Sequence, residues 1–409
     1  MIRALTAFVL IALAAVECQG AGSATSRPDI IIASDLPLSA FGGPDEIVAL
    51  EQAIGFAIRQ HPTIEGYELD YWSLDNALGA QHSQLRGRAN VRRMIANPSV
   101  LGMVVPHSSF IAAVQMAEAN QAHLAMVSAT TTSDCLTVAE RPCSPTAASL
   151  RPTSTNNYFR ITPRDPLQGK AMANYASTKL GLRRVAAFNE YGSEGSLYIN
   201  EFAKEFAVHG GTLVYQQTYD DTPDDFSAFL IQAKARGADA IYAAAESSQN
   251  ACLAAAQMSG LIPGPVFLAT DGITLHPDCM ADLGSSPPEV WATYGYVNPT
   301  TSGDPVVVKQ VAAYRKAYPK ASDVGPYSFA AYDSARILID AISRAIKANG
   351  GKLPSRAQVV TAVAETNNFV GLTGTYSFDK NGDALSPMRS IYKVHDGRWE
   401  FVQVHKFVS

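Results

Sequence analysis

Two groups of residues in this chain have the chemistry to hold a small charged solute between them. Glu246, Asp271 and Tyr191 each follow an apolar segment that reads as a strand: Ala238–Ala243, Val266–Ala269 and Arg184–Asn189. Ser108, Ser109 and Thr130–Thr132 follow two further predicted strands, Leu101–Val105 and His123–Val127, and Phe41 lies in the loop after Asp29–Ser34. In open parallel α/β sheets, ligands sit outside the carboxyl ends of the strands. A helix opening near Ser108 and Ser109 adds free backbone N–H groups that favour an anion. Hydroxyls and N–H groups on one edge suit a carboxylate, and carboxylates with a tyrosine on the other suit an ammonium. Together they point to a zwitterion such as an amino acid. Each residue also has an ordinary structural use: Ser and Thr cap helices, and Asp271-Gly272 is a common turn.

Catalysis finds no comparable support. No GxSxG, HExxH, GxxxxGK[ST] or GxGxxG occurs in the sequence, so the usual nucleophile, zinc and nucleotide motifs are absent. His107 adjoins Ser108, but neighbouring residues on a helix or strand point in different directions. Asp379 to Asp383 resembles the start of a calcium loop, yet the twelfth position, which needs Glu, is Ser390. A turn is expected there. Neither a cofactor nor a metal is expected, and the protein reads as a binder rather than an enzyme.

The elements that position these residues alternate. After Asp29–Ser34 come a helix over Asp45–Gln60, a strand at Glu68–Leu74 and a helix over Gln81–Ala96, then the two strands that carry the hydroxyls. This is a βαβαβ series, the signature of a parallel α/β domain. Ser133–Asn157, rich in Ser, Thr, Pro and Ala, breaks the rhythm and reads as a long surface loop. A second series runs from Tyr158 through Val266–Ala269 and predicts a second parallel sheet. Helices over Pro305–Ala317 and Ser328–Ala348 follow, and a C-terminal hairpin is expected around Asp396-Gly397.

At 409 residues the chain is long enough for two domains. A net charge of −5 without any basic run argues against a nucleic-acid surface. Met1-Ile2-Arg3, the apolar run Ala4–Val16 and the small residues Gly20–Ala24 have the layout of a secretory signal peptide, expected over 1–24. Cys18 raises lipid anchoring, for which the preceding Glu17 is a poor fit. Without the leader, Cys135, Cys143, Cys252 and Cys279 remain, which suggests two disulfides with three pairings open.

The ordered set of local motifs resembles the periplasmic type I solute-binding proteins of ABC transporters, on the leucine/isoleucine/valine-binding branch. It is carried by Pro37-Leu38-Ser39-Ala40-Phe41-Gly42, Val105-Pro106-His107-Ser108-Ser109, Met126 to Thr132, Glu190 to Gly195, Thr270-Asp271-Gly272, Tyr332 to Ala335 and Phe378 to Asp383. The resemblance implies two Rossmann-like α/β lobes joined by a three-crossover hinge, near Thr162–Arg164, Asn298–Thr301 and Met388–Ser390. Lobe one would then be 25–162 with 299–388, and lobe two 163–298 with 389–409. Ser109 (or Ser108) and Thr132 would bind a ligand carboxylate, the Thr130 carbonyl and Asp271 an ammonium, and Phe41 and Tyr191 would close over the ligand. The implied partners are a small solute and a membrane permease with a separate ATPase, with the protein a periplasmic monomer. An extracellular sensor that presents its solute to a receptor, and a binder of aromatic or other carboxylic acids, are the alternatives. The branched-chain binders carry Glu where Asp271 stands and an aromatic where Glu246 stands. A buried carboxylate wants a cation or donor, so these departures imply a polar or basic amino acid, an amide or a related amine.

Overall fold

The computed structural model describes residues 29–40, 44–79, 81–139, 143–189, 192–219, 223–244, 248–262, 264, 266–275, 279–283, 287–320, 324–325, 327–385 and 387–407. The expected signal peptide with Cys18, and the site candidates Phe41, Tyr191 and Glu246, lie outside the described residues.

Two sheets organise the chain. The first orders its strands Thr63–Ile64, Tyr67–Asp75, Ile30–Leu36, Val100–Val104, Ala125–Ser128, Tyr158–Arg160. The second runs Thr212–Thr218, Arg184–Asn189, Ala240–Ala244, Val266–Ala269, Glu289–Tyr294, Met388–His395, Arg398–Lys406. Ile30–Leu36 is buried along its whole length, as a strand covered by helices on both faces must be. Alternate residues divide between the two faces. Ile30 and Ile32 pack in one cluster with Ile54 and Leu338, while Ile31 and Ala33 pack in another with Val91 and Met116. The second sheet divides likewise, with Phe188 and Phe267 on one face and Val185 and Leu268 on the other.

The sheets are mixed rather than wholly parallel. Thr63–Ile64 pairs antiparallel with Tyr67–Asp75, and Met388–His395 pairs antiparallel with both of its neighbours. Two of these three pairings follow from their links. Glu65-Gly66 and Asp396-Gly397 are two-residue turns with positive φ throughout, and a link that short can join only antiparallel strands.

The chain passes between the two sheets three times. It leaves the first after Arg160, returns after Tyr294 to the helices Pro305–Ala317 and Ser328–Ala348, and crosses again before Met388. Leu338, Ala341, Ile342 and Ala345 form a buried stripe on the long helix. In the second lobe, the helices Pro166–Thr178 and Gly192–Val208 touch at Gly169. A Cβ there would lie 2.3 Å from the Tyr198 carbonyl oxygen, so only glycine permits this approach.

The stretch after Thr132 is a loop with much of its length at the surface, as expected, but it is anchored to the core. It contains a short 3-10 helix, Asp134–Leu136, and buries Leu136, Thr137, Ala147 and Leu150. Arg160, which is fully buried, holds the first residues of the stretch. Its Nε donates to Asp383 Oδ1 at 2.6 Å, and Nη1 donates to the carbonyls of Ser133 (2.8 Å) and Thr131 (3.2 Å).

Disulfides join Cys135 to Cys143 and Cys252 to Cys279. Loop-closure entropy makes the longer loop the more stabilising. The Cys252→Ser/Cys279→Ser pair is expected to cost about 3–4 kcal/mol and the Cys135→Ser/Cys143→Ser pair about 2–3 kcal/mol. Urea unfolding of both variants without reductant checks this, and the reverse order would contradict it.

Candidate functional site

On the first sheet, the turns after Val100–Val104 and Ala125–Ser128 are stitched together. Ser128 Oγ accepts the N–H groups of Thr130 (3.3 Å) and Thr131 (3.0 Å), which curls the chain at the strand end. Thr130 Oγ1 donates to the Pro106 carbonyl at 3.3 Å, and Ser109 Oγ accepts the Ser133 N–H at 3.3 Å. Thr131 turns inward to the Tyr158 hydroxyl at 2.6 Å and is buried. Ser109, Thr130 and Thr132 remain partly exposed at this edge.

Ser108 occupies the N-cap position of the helix Ser109–Gln121, yet its hydroxyl makes no cap bond. It meets His82 Nδ1 instead, at 3.1 Å. Burial, followed by the charge of His107, pushes the His82 imidazole down to about 4, so this ring is neutral at neutral pH and a feeble base. The contact holds the Ser108 hydroxyl at the strand end.

On the second sheet, Asp271 stands just beyond Val266–Ala269, at the start of a 3-10 turn, Asp271–Leu275. Gln168 holds it from both sides: its Nε2 donates to Asp271 Oδ1 at 2.7 Å, and its Oε1 accepts the Asp271 N–H at 3.0 Å. Thr293 Oγ1 donates to the same Gln168 oxygen at 2.7 Å, which orients the amide. The other carboxylate oxygen accepts from the Tyr327 hydroxyl at 2.6 Å and lies 3.9 Å from Arg389 Nη1. Arg389 is fully buried and donates through Nη2 to the Pro163 carbonyl at 2.7 Å. Tyr327 precedes the helix Ser328–Ala348, which packs on the first sheet, so its bond to Asp271 bridges the lobes.

Sequence reasoning missed Gln168, Tyr327 and Arg389. Tyr327 is 4% exposed and lies in an aromatic group, with ring centroids 5.5 Å from Tyr294, 5.9 Å from Tyr296 and 6.3 Å from His107. His107 also lies 3.7 Å from Glu46. A continuous path thus runs from the Ser108 turn through His107 and Tyr327 to Asp271. A second path leads from Thr132, whose carbonyl accepts the Asp165 N–H at 3.1 Å, to the helix that carries Gln168.

Asp165 is itself buried, which pushes its carboxyl up to about 6; the Thr132 hydroxyl opposes that rise and the Asp271 charge adds to it. A carboxyl raised in this way binds its proton more tightly folded than unfolded. Stability therefore grows as the pH falls from about 6 toward about 4 and is lost as it rises again. Asp165→Asn is expected to remove part of that slope, on the order of 1–3 kcal/mol. Asp35 and Asp333, raised to about 7 and about 6, keep the remainder. Urea midpoints across this range test it, and an unaltered slope would place the proton elsewhere.

A family model described as periplasmic binding protein matches residues 38–398. Leu/Ile/Val-binding protein homolog 7 of Brucella abortus is 25% identical over 389 residues, 91% of this chain and 90% of that one. Homolog 3 of Brucella melitensis is 24% identical over 264 residues, and the match spans 62% of this chain and 65% of the relative's length. A leucine-binding protein from Thermotoga maritima superposes with a TM-score of 0.74 at 25% identity, covering 92% of this chain and 98% of that one. A solute-binding protein from Rhodopseudomonas (R. palustris), in complex with 4-hydroxybenzoate, gives a TM-score of 0.74 at 19% identity, covering 92% and 96%.

Proposed function

Because this chain belongs to the periplasmic binding protein family, we propose that it captures one small polar solute, an amino acid or a related amine or amide. It would act in the periplasm and deliver the solute to an ABC permease driven by a separate ATPase. The reading takes 25–162 with 299–388 as one jaw and 163–298 with 389–409 as the other. Solute between the jaws binds the closed state better than the open one, and that difference in affinity drives closure.

The observation that carries this reading is the placement of Asp271. Its carboxylate stands beyond a strand end of the second sheet and is bonded by Tyr327, whose helix packs on the first. Two neutral donors, Gln168 and Tyr327, and a guanidinium at 3.9 Å fix it there. Ser109, with Ser108, and Thr132 are assigned to the solute's carboxylate, and the Thr130 carbonyl and Asp271 to its ammonium. Phe41 and Tyr191 cover the solute, and Glu246 meets a further cation or donor on it. No catalytic step is assigned.

One observation favours a second reading. Asp271 already accepts two hydrogen bonds inside the protein, so the site tolerates a ligand without a cation. A relative of the same fold holds 4-hydroxybenzoate. An aromatic acid is the alternative solute.

A thermal-shift screen against amino acids, amides, polyamines and aromatic acids separates the two. A true ligand at ~100 times its Kd adds about 2.7 kcal/mol of stability. A shift from amines supports the first reading, and a shift from aromatic acids alone replaces it with the second.

A further inference from the structure

A cavity of about 430 Å³ opens at the hinge. Its walls include Tyr294, Tyr392 and Trp399 from the second sheet, Phe329 from a helix of the first lobe, and Tyr296 from the crossing segment. Arg315, exposed on the helix Pro305–Ala317, lines it as well and has no ion-pair partner among the described residues. Tyr294 and Tyr296, at 6% and 2% exposure, present only a little of their rings to the cavity, because their hydroxyl oxygens are buried. Aromatic walls select a planar ring, which they meet edge-on or stacked. An arginine beside them selects a carboxylate, whose two oxygens match its fork. The volume falls within the range of small-molecule sites.

We propose that this hinge cavity is a second ligand site, distinct from the cleft, and that it binds a small aromatic carboxylate. The site is built from both lobes, so opening and closing must reshape it. Its occupant and the cleft solute therefore bias the same equilibrium, and each alters the other's affinity by the same factor. The physical link is short: the Tyr294 ring packs against Tyr327, whose hydroxyl holds Asp271 across the cleft. Filling the hinge fixes the position of that aromatic group and, through it, the second-lobe carboxylate.

The test titrates the purified full chain with 4-fluorobenzoate, followed by fluorine NMR, in parallel with Arg315→Ala and Ser109→Ala. The expected result is saturable binding that Arg315→Ala weakens at least tenfold and Ser109→Ala leaves within twofold. Arg315 is exposed, so its removal does not endanger the fold. In the same experiment 4-fluorobenzamide, which lacks the charge, should bind at least tenfold more weakly. No saturable binding, or binding that Arg315→Ala leaves intact, overturns the proposal. Binding lost only with Ser109→Ala places the aromatic acid in the cleft and likewise overturns it.

Discussion

Asp271→Ala is expected to abolish the stabilisation that an amine ligand confers, in a chain that still folds but is less stable because buried Arg389 loses the carboxylate 3.9 Å away. The effect follows from what the carboxylate faces. Its outer oxygen meets Tyr327 from the opposite lobe, and its inner oxygen is tied to Gln168. An ammonium arriving in a closing cleft loses its water, and only a fixed anion or several acceptors can replace that hydration. Removing one partner of a buried hydrogen-bonded charge pair costs about 2–5 kcal/mol of binding, a loss of at least about thirtyfold. Asp271→Asn keeps the shape and one acceptor but removes the charge, so it should weaken amine ligands and spare neutral ones. Thermal shift and titration calorimetry on both variants read the effect. An unchanged response to the amine would remove Asp271 from the site.

The largest effect on stability is expected from Asp383→Ala, at about 3–5 kcal/mol. Arg160 is fully buried, and Asp383 is the carboxylate its Nε meets at 2.6 Å. Its other donors reach only neutral groups, the carbonyls of Thr131 and Ser133 and the Thr137 hydroxyl. Without Asp383 the buried guanidinium loses its hydrogen-bonded carboxylate and keeps the weaker attraction of Asp134. The same loss removes one of the ties between the crossing segment before Met388 and the stretch after Thr132, since Asp383 Oδ2 also accepts from the Thr137 hydroxyl at 3.0 Å. Equilibrium urea unfolding measures the cost. A change below about 1 kcal/mol would mean that water reaches Arg160 once its partner is gone.

The fold was legible wherever local pattern and tertiary demand agree. Ile30–Leu36 opens on an apolar run and is buried without interruption because helices cover both faces, and Asp396-Gly397 turns where a two-residue hairpin needs positive φ. Composition was silent where one distant residue decides. Ser133–Asn157 has the residues of a surface loop and much of it is exposed, but nothing in it announced that Arg160 would hold its first carbonyls in the interior. Gln81–His82 belongs to a small hairpin instead of the following helix, because Ser83 caps that helix two residues later.

Strand-end position is what singled out Ser108, Ser109, Thr130, Thr132 and Asp271 as candidates, and the structure places them beyond those strand ends. Gln168 could not be found that way. It matters only because its helix begins at Asp165 and points that turn at Asp271, a relation between two elements 103 residues apart. Tyr327 was hidden for the same reason, since nothing in its neighbourhood marks a residue that crosses between lobes. The departure in His82 is similar. The sequence drew attention to His107 beside Ser108, whereas the fold delivers a histidine from 26 residues away.

The central claim is that one solute draws two lobes together, and small-angle scattering tests it most directly. Titrating the unliganded chain with the strongest amine or amino acid from the screen should contract the radius of gyration, saturating at one solute per chain. The Asp271→Ala chain should show no contraction at the same concentration. A parent chain that binds the solute with no change in its dimensions would contradict the account.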